Sequence, residues 1–271
     1  MPPPSSQRLN LTTLISISLP AFALEPFVHE FLGHACTAWL LGVKVILVSS
    51  TAMQTAGGSR LIPAAGPLSN LMFGAAAYIV MRRIPGFTAL RFFLWIFTFA
   101  NLFLGFGYIL YSGVINFGDS AYVIAGLRPA WMYRAGLIVL GAWGYRFSVG
   151  LAARDTASLI RSGSVLSGDI PRLVYPACLA GALLYFIASL FNPVSPSLIL
   201  YDGLSMAAGV VIGFCLIPGV ARNISSRAVV ASPNGPENAP ASVLPFSPAW
   251  LLLAMISTIA FLYFLGRGFR P

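Results

Sequence analysis

Apolar residues in this chain gather into runs close to the ~20 residues that a helix needs to cross a bilayer, and no other feature of the sequence constrains its fold as much. A first stretch runs from about Leu11 to Leu41. Others follow at about 66–82, 88–111, 130–152, 173–191, 198–219 and 248–266, with Pro129, Pro171, Pro193 and Pro248 at or near their ends. Only 8% of the residues are charged, against roughly 25% in an ordinary soluble domain, too few to clothe a water-soluble surface. The expected fold class is an all-α polytopic membrane protein of about seven transmembrane helices. Its expected setting is integral to a membrane, multi-pass, with the lipid bilayer as its main partner.

The formal charge of +9 does not point to nucleic acid. The arginines stand singly or in pairs near the ends of apolar runs (Arg82 and Arg83, Arg154, Arg172, Arg222, Arg267), and no stripe of them tracks a phosphate backbone. Basic residues in short loops instead bias helix orientation, here weakly toward a cytoplasmic N-terminus. Cys36, Cys178 and Cys215 all fall within apolar segments, an odd and scattered set that reads as small buried hydrophobes rather than a disulfide framework.

Between the spans the chain changes character. Residues 1–9 form a polar, proline-rich tail, expected to be disordered. Residues 43–62 alternate Val43, Val45 and Leu47 with Lys44, Ile46 and Val48, then turn small and polar toward Gly57-Gly58. That pattern is one of short strands, so a membrane-associated β-hairpin is expected after the first span. Residues 221–246, rich in Pro, Ser and Asn, are expected to form a flexible loop.

Ionisable groups at membrane depth are costly and usually mark function. Glu25, Glu30, Asp119 and Asp202 are the acids concerned, and both histidines of the chain, His29 and His34, flank Glu30 in Val28-His29-Glu30-Phe31-Leu32-Gly33-His34-Ala35. A zinc site needs neutral imidazoles on one face, a further N or O ligand and an open position for water. The plain alternative is a pair of histidines hydrogen-bonded within a helix bundle.

This segment resembles the His-Glu-x-x-His signature of zinc metallopeptidases, and its apolar setting with the trailing Gly33-His34-Ala35 is similar to the site-2 protease family of intramembrane zinc proteases. Ala64-Ala65-Gly66-Pro67-Leu68-Ser69-Asn70 resembles that family's Gly-Pro-x-x-Asn segment, and Asn116-Phe117-Gly118-Asp119 falls about where the family supplies an aspartate ligand. The resemblance implies a metalloprotease-like membrane core over residues 10–130, followed by additional transmembrane helices over 131–271 that carry no signature. It implies Zn²⁺ held by His29, His34 and Asp119, and Glu30 as general base. Asn70 would then contact the substrate or the developing oxyanion, and a transmembrane protein would be the substrate.

One departure stands out. The family's histidines are four residues apart, whereas His29 and His34 are five apart. At ~100° per residue, a spacing of four leaves two side chains ~40° apart around a regular helix and a spacing of five leaves them ~140° apart. A π-bulge, whose wider turn aligns i with i+5, would restore convergence, and Gly33 would ease the distortion. Ligation by Glu30 and His34, which are four apart, is the other remedy. Asp119 could instead cap the helix that follows it, Asn70 could serve only an interhelical hydrogen bond, and Asp202 competes as third ligand or interfacial cap. Two further functions stay open: a non-catalytic membrane scaffold or regulator of the same fold, and an ion or solute transporter using Glu30, Asp119 and Asp202 as a relay.

Overall fold

The computed structural model describes residues 9–231 and 244–271. Residues 1–8 of the expected tail, and 232–243 of the expected loop, lie outside them. Among the described residues, seven helices are long and apolar enough to cross a membrane, and the chain is a multi-pass integral membrane protein. Its outer surface carries large apolar side chains such as Trp131, Val139, Leu179 and Ile259. A belt of that extent is stable against lipid and would aggregate in water.

The first span, α1 (Leu11–Leu40), is not a single regular helix. It starts as an α-helix capped by Asn10, whose Oδ1 accepts from the Thr13 amide at 3.0 Å. It becomes a π-helix over Phe27–Ala35 and returns to α-helix for Cys36–Leu40. Pro26, at the junction, offers no N–H to the preceding turn, so the change of pitch starts where the α-helical ladder is already interrupted.

The expected hairpin follows as β1 (Val45–Val48) and β2 (Met53–Thr55), antiparallel, with an irregularity between Val45 and Leu47. The other edge of β1 is closed near the C-terminus, where Val48 and Phe269 exchange two backbone hydrogen bonds of 2.9 Å. The remaining helices are α2 (Leu61–Arg82), α3 (Ala89–Ile115), the short α4 (Asp119–Ile124) and α5 (Ala130–Arg161). They are followed by α6 (Ile170–Leu190), α7 (Ser205–Ala231) and α8 (Pro248–Ala260). A π-helical turn, Ile199–Leu204, leads into α7. Contrary to the sequence expectation, residues 221–231 do not begin a loop but continue α7. The polar residues there include no glycine or proline, so none of them breaks the helix.

Aromatic side chains fill the centre of the bundle. Phe22, Phe92, Phe99, Phe103 and Phe214 are fully buried, with Phe103 edge-on to Phe214 at 5.2 Å between centroids. Near one end of the bundle Asp155 is buried and accepts from Arg91 at 3.0 Å, with Arg82 at 3.5 Å. At the C-terminus of α3, Arg134 reaches across from α5 to donate to the carbonyls of Gly113 and Val114. A cation there complements the helix dipole and satisfies carbonyls that have no partner within the helix.

Candidate metal centre

The π-helical segment resolves the spacing of five. With close to one extra residue per turn, positions i and i+5 share a face, so the rings of His29 and His34 lie on the same side of α1 with centroids 4.8 Å apart. Both rings turn Nε2 toward a single oxygen. Asp119 Oδ2 is 2.9 Å from His29 Nε2 and 3.2 Å from His34 Nε2. One donor atom from each of the three residues lies within 4.8 Å of the others, and together they can hold a metal ion.

Asp119 reaches this position because the chain turns back sharply after α3. Asn116 ends that helix in the left-handed region at φ 59°, and Gly118 has φ 83°, which side-chain-bearing residues rarely adopt. Gly118, not Asp119, stands at the N-cap of α4, and the aspartate is aimed inward as the first helical residue. Burial favours the neutral carboxyl and pushes its pKa up, but His34 and His29 beside it outweigh burial and hold it below the usual carboxylate range. It is therefore available as an anionic ligand.

Each imidazole is fixed from behind. His34 Nδ1 lies 2.6 Å from the Ile62 carbonyl and carries the hydrogen it donates there, so Nε2, 3.2 Å from Asp119 Oδ2, is the nitrogen a metal ion would take. His29 Nδ1 lies 3.2 Å from the Asn70 amide, and the Tyr108 ring stands edge-on to the same imidazole at 5.6 Å. The first turns of α2 come unusually close: a side chain at Gly66 would overlap the His34 ring and lie 2.6 Å from His29 Nε2. The Gly66-Pro67 pair singled out in the sequence thus brings backbone against both candidate ligands.

Glu30 is buried on the same segment, and its Oε2 has no hydrogen-bond partner among the described residues. It lines a cavity of about 680 Å³ together with His34, Asp119, Asp202 and residues of the hairpin. A buried carboxylate oxygen left unpaired beside three convergent donors is a group with room for water or a reacting molecule. Donor set, burial and the side-chain-free approach at Gly66 all fit a small divalent cation.

Asn70 does not face this cavity. It is fully buried; its Nδ2 donates to Glu25 Oε1 at 2.6 Å and meets the Nδ1 edge of His29, the edge away from Asp119. Two tyrosines near the site were not legible in the sequence, and Asp202, which the sequence offered as a competing third ligand, takes another place. Tyr108, on α3, donates its hydroxyl hydrogen to Asp202; Asp202, in the turn before α7, lines the cavity rather than joining the three convergent donors; Tyr185, on α6, donates to Glu25 Oε2 at 2.9 Å. The Asp202-Gly203 pair at the start of a span was the signal for that aspartate.

Fold and site define a multi-pass membrane protein with a buried His-His-Asp grouping suited to a metal ion. Comparison with protein-family models, with curated proteins and with solved structures returns no match.

Proposed function

We propose that this protein is an intramembrane zinc metallopeptidase related to the site-2 protease family, hydrolysing peptide bonds of membrane-embedded protein substrates. The observation that carries the proposal is the convergence of His29, His34 and Asp119 beside an unpartnered Glu30 oxygen. His29, His34 and Asp119 would hold the zinc ion, which would supply Lewis acidity toward a scissile carbonyl and a water. Glu30 takes a proton from the attacking water and returns it to the leaving amine as the C–N bond breaks. The Ile62 carbonyl behind His34 holds that ring's hydrogen on Nδ1, which leaves its Nε2 for the ion. A transmembrane substrate must unwind to expose its carbonyls, and β2, beside the cavity, offers backbone groups for the unwound segment.

One observation favours a second function, ion transport: Glu25, Glu30 and Asp202 line a common small recess behind the site. A single experiment separates the two. Purified protein in detergent is assayed for zinc content and for cleavage of a model transmembrane peptide, as parent and as Glu30→Gln. A peptidase cleaves as parent, and the variant retains zinc but loses cleavage by at least ~100-fold, the lower end of what general acid–base catalysis contributes. Zinc without cleavage in the parent would rule out the enzyme, and no zinc at all would rule out the metal site.

A further inference from the structure

Behind His29 runs a line of polar groups drawn from three helices. Tyr185 on α6 donates to Glu25 Oε2 (2.9 Å), Glu25 Oε1 accepts from Asn70 Nδ2 on α2 (2.6 Å), and the same amide meets His29 Nδ1 (3.2 Å). Tyr185 is 2% exposed, and Glu25 and Asn70 not at all. Asn70 Oδ1, moreover, has no partner among the described residues. Burying an amide with one end unpaired is costlier than burying a leucine of similar size, so packing alone does not explain the choice of residue.

Imidazole chemistry supplies a reason. A neutral ring carries one hydrogen. When Nε2 donates to the Asp119 carboxylate, Nδ1 is an acceptor and needs an N–H opposite it. When Nε2 is a ligand, the hydrogen sits on Nδ1 and needs an oxygen opposite it. A carboxylate serves only the second case and an ammonium only the first, whereas an amide serves both by a half-turn.

We propose that Asn70 is a positioning residue for His29, turning its amide to match the ring's hydrogen, while Glu25, held by Tyr185 on α6, accepts from the amide in one orientation and, as the carboxylic acid, donates to it in the other. The proposal rests on the metal-site function above and gives α6, outside the metalloprotease-like core, a part in it.

The test uses the full-length protein in detergent, titrated with Co²⁺ against a chromophoric chelator, with the visible cobalt spectrum recorded at saturation. Asn70→Leu and Glu25→Leu are expected to weaken cobalt binding ~10–100-fold, the usual effect of losing an outer-shell partner of a ligating histidine, and to alter the spectrum of the saturated protein. Glu25→Gln keeps a donor and an acceptor in place and is expected to stay within about threefold of the parent, while Tyr185→Phe falls between the two. A merely structural role would lower thermal stability in all four and leave the spectrum of the folded fraction untouched. Glu25→Gln and Tyr185→Phe remove the least and serve as the test if the leucine variants fail to fold. Parent-like affinity and spectrum in folded Asn70→Leu, or in Tyr185→Phe together with a tenfold loss in Glu25→Gln, would overturn the proposal while leaving the metal site intact. Failure of the parent itself to bind cobalt would overturn both.

Discussion

Replacing Gly66 by alanine puts a methyl group into the closest approach between α2 and the candidate ligands. The new carbon would lie 2.6 Å from His29 Nε2 and inside the contact shell of the His34 ring. That is ~0.9 Å short of the ~3.5 Å at which nonbonded heavy atoms rest. Either α2 backs away or the rings swing off their common focus, and metal–ligand distances tolerate only about ±0.2 Å. The helix as a whole need not unfold, since overpacking of this size typically costs ~1–3 kcal/mol. Metal affinity is therefore expected to fall by at least the ~10–100-fold that follows loss of an outer-shell partner, with a modest drop in unfolding temperature. Gly74→Ala, two turns along the same helix, is the control: its methyl would meet the Leu102 side chain at 3.1 Å, and that side chain can shift. Chelator competition on both folded variants reads the difference. Unchanged affinity in folded Gly66→Ala would refute the claim that α2 backbone is held against both imidazoles.

Other outcomes follow from the same geometry. His34→Ala and Asp119→Ala are each expected to abolish stoichiometric zinc binding after detergent purification, measured by atomic emission. Deleting Leu32, which is partly exposed, shortens the histidine spacing to four and lets an ordinary α-helix present both rings; zinc stoichiometry is expected to survive, whereas adding an alanine at the same point is expected to eliminate it. Asp155→Ala leaves the buried Arg91 without its counter-charge and is expected to cost ~3–5 kcal/mol in reversible unfolding. Arg82→Ala, by contrast, removes a side chain that is 52% exposed and should cost under ~1 kcal/mol.

How much of this was legible beforehand depended on whether a feature was local. Span positions came from runs of apolar residues, and the hairpin from alternation followed by glycines, because both patterns are set by the residues themselves. The π-helical turn was legible as one of two remedies for the spacing of five: His29 and His34 share an ion only if the helix widens between them, the alternative being Glu30 and His34 on a regular helix. What escaped was assembled by packing across the bundle. Nothing near Tyr185 or Tyr108 in the chain announces that their hydroxyls meet carboxyls 160 and 94 residues away. A substrate contact for Asn70 came from the resemblance of its segment alone, and the packing of α2 on α1 turns the side chain toward Glu25. The polar stretch after Ala221 misled in the opposite direction, since a helix emerging from lipid and a loop draw on the same residues.

X-ray absorption at the zinc edge of the purified, metal-loaded protein asks most directly whether two imidazoles five residues apart and one aspartate share an ion. The expected spectrum contains two histidine nitrogens at ~2.0–2.1 Å with carboxylate oxygen at ~2.0–2.2 Å, and His34→Ala, taken through the same loading, is expected to retain no zinc with that signature. A spectrum with one imidazole or none in the parent, or one unchanged by that substitution, would contradict the site.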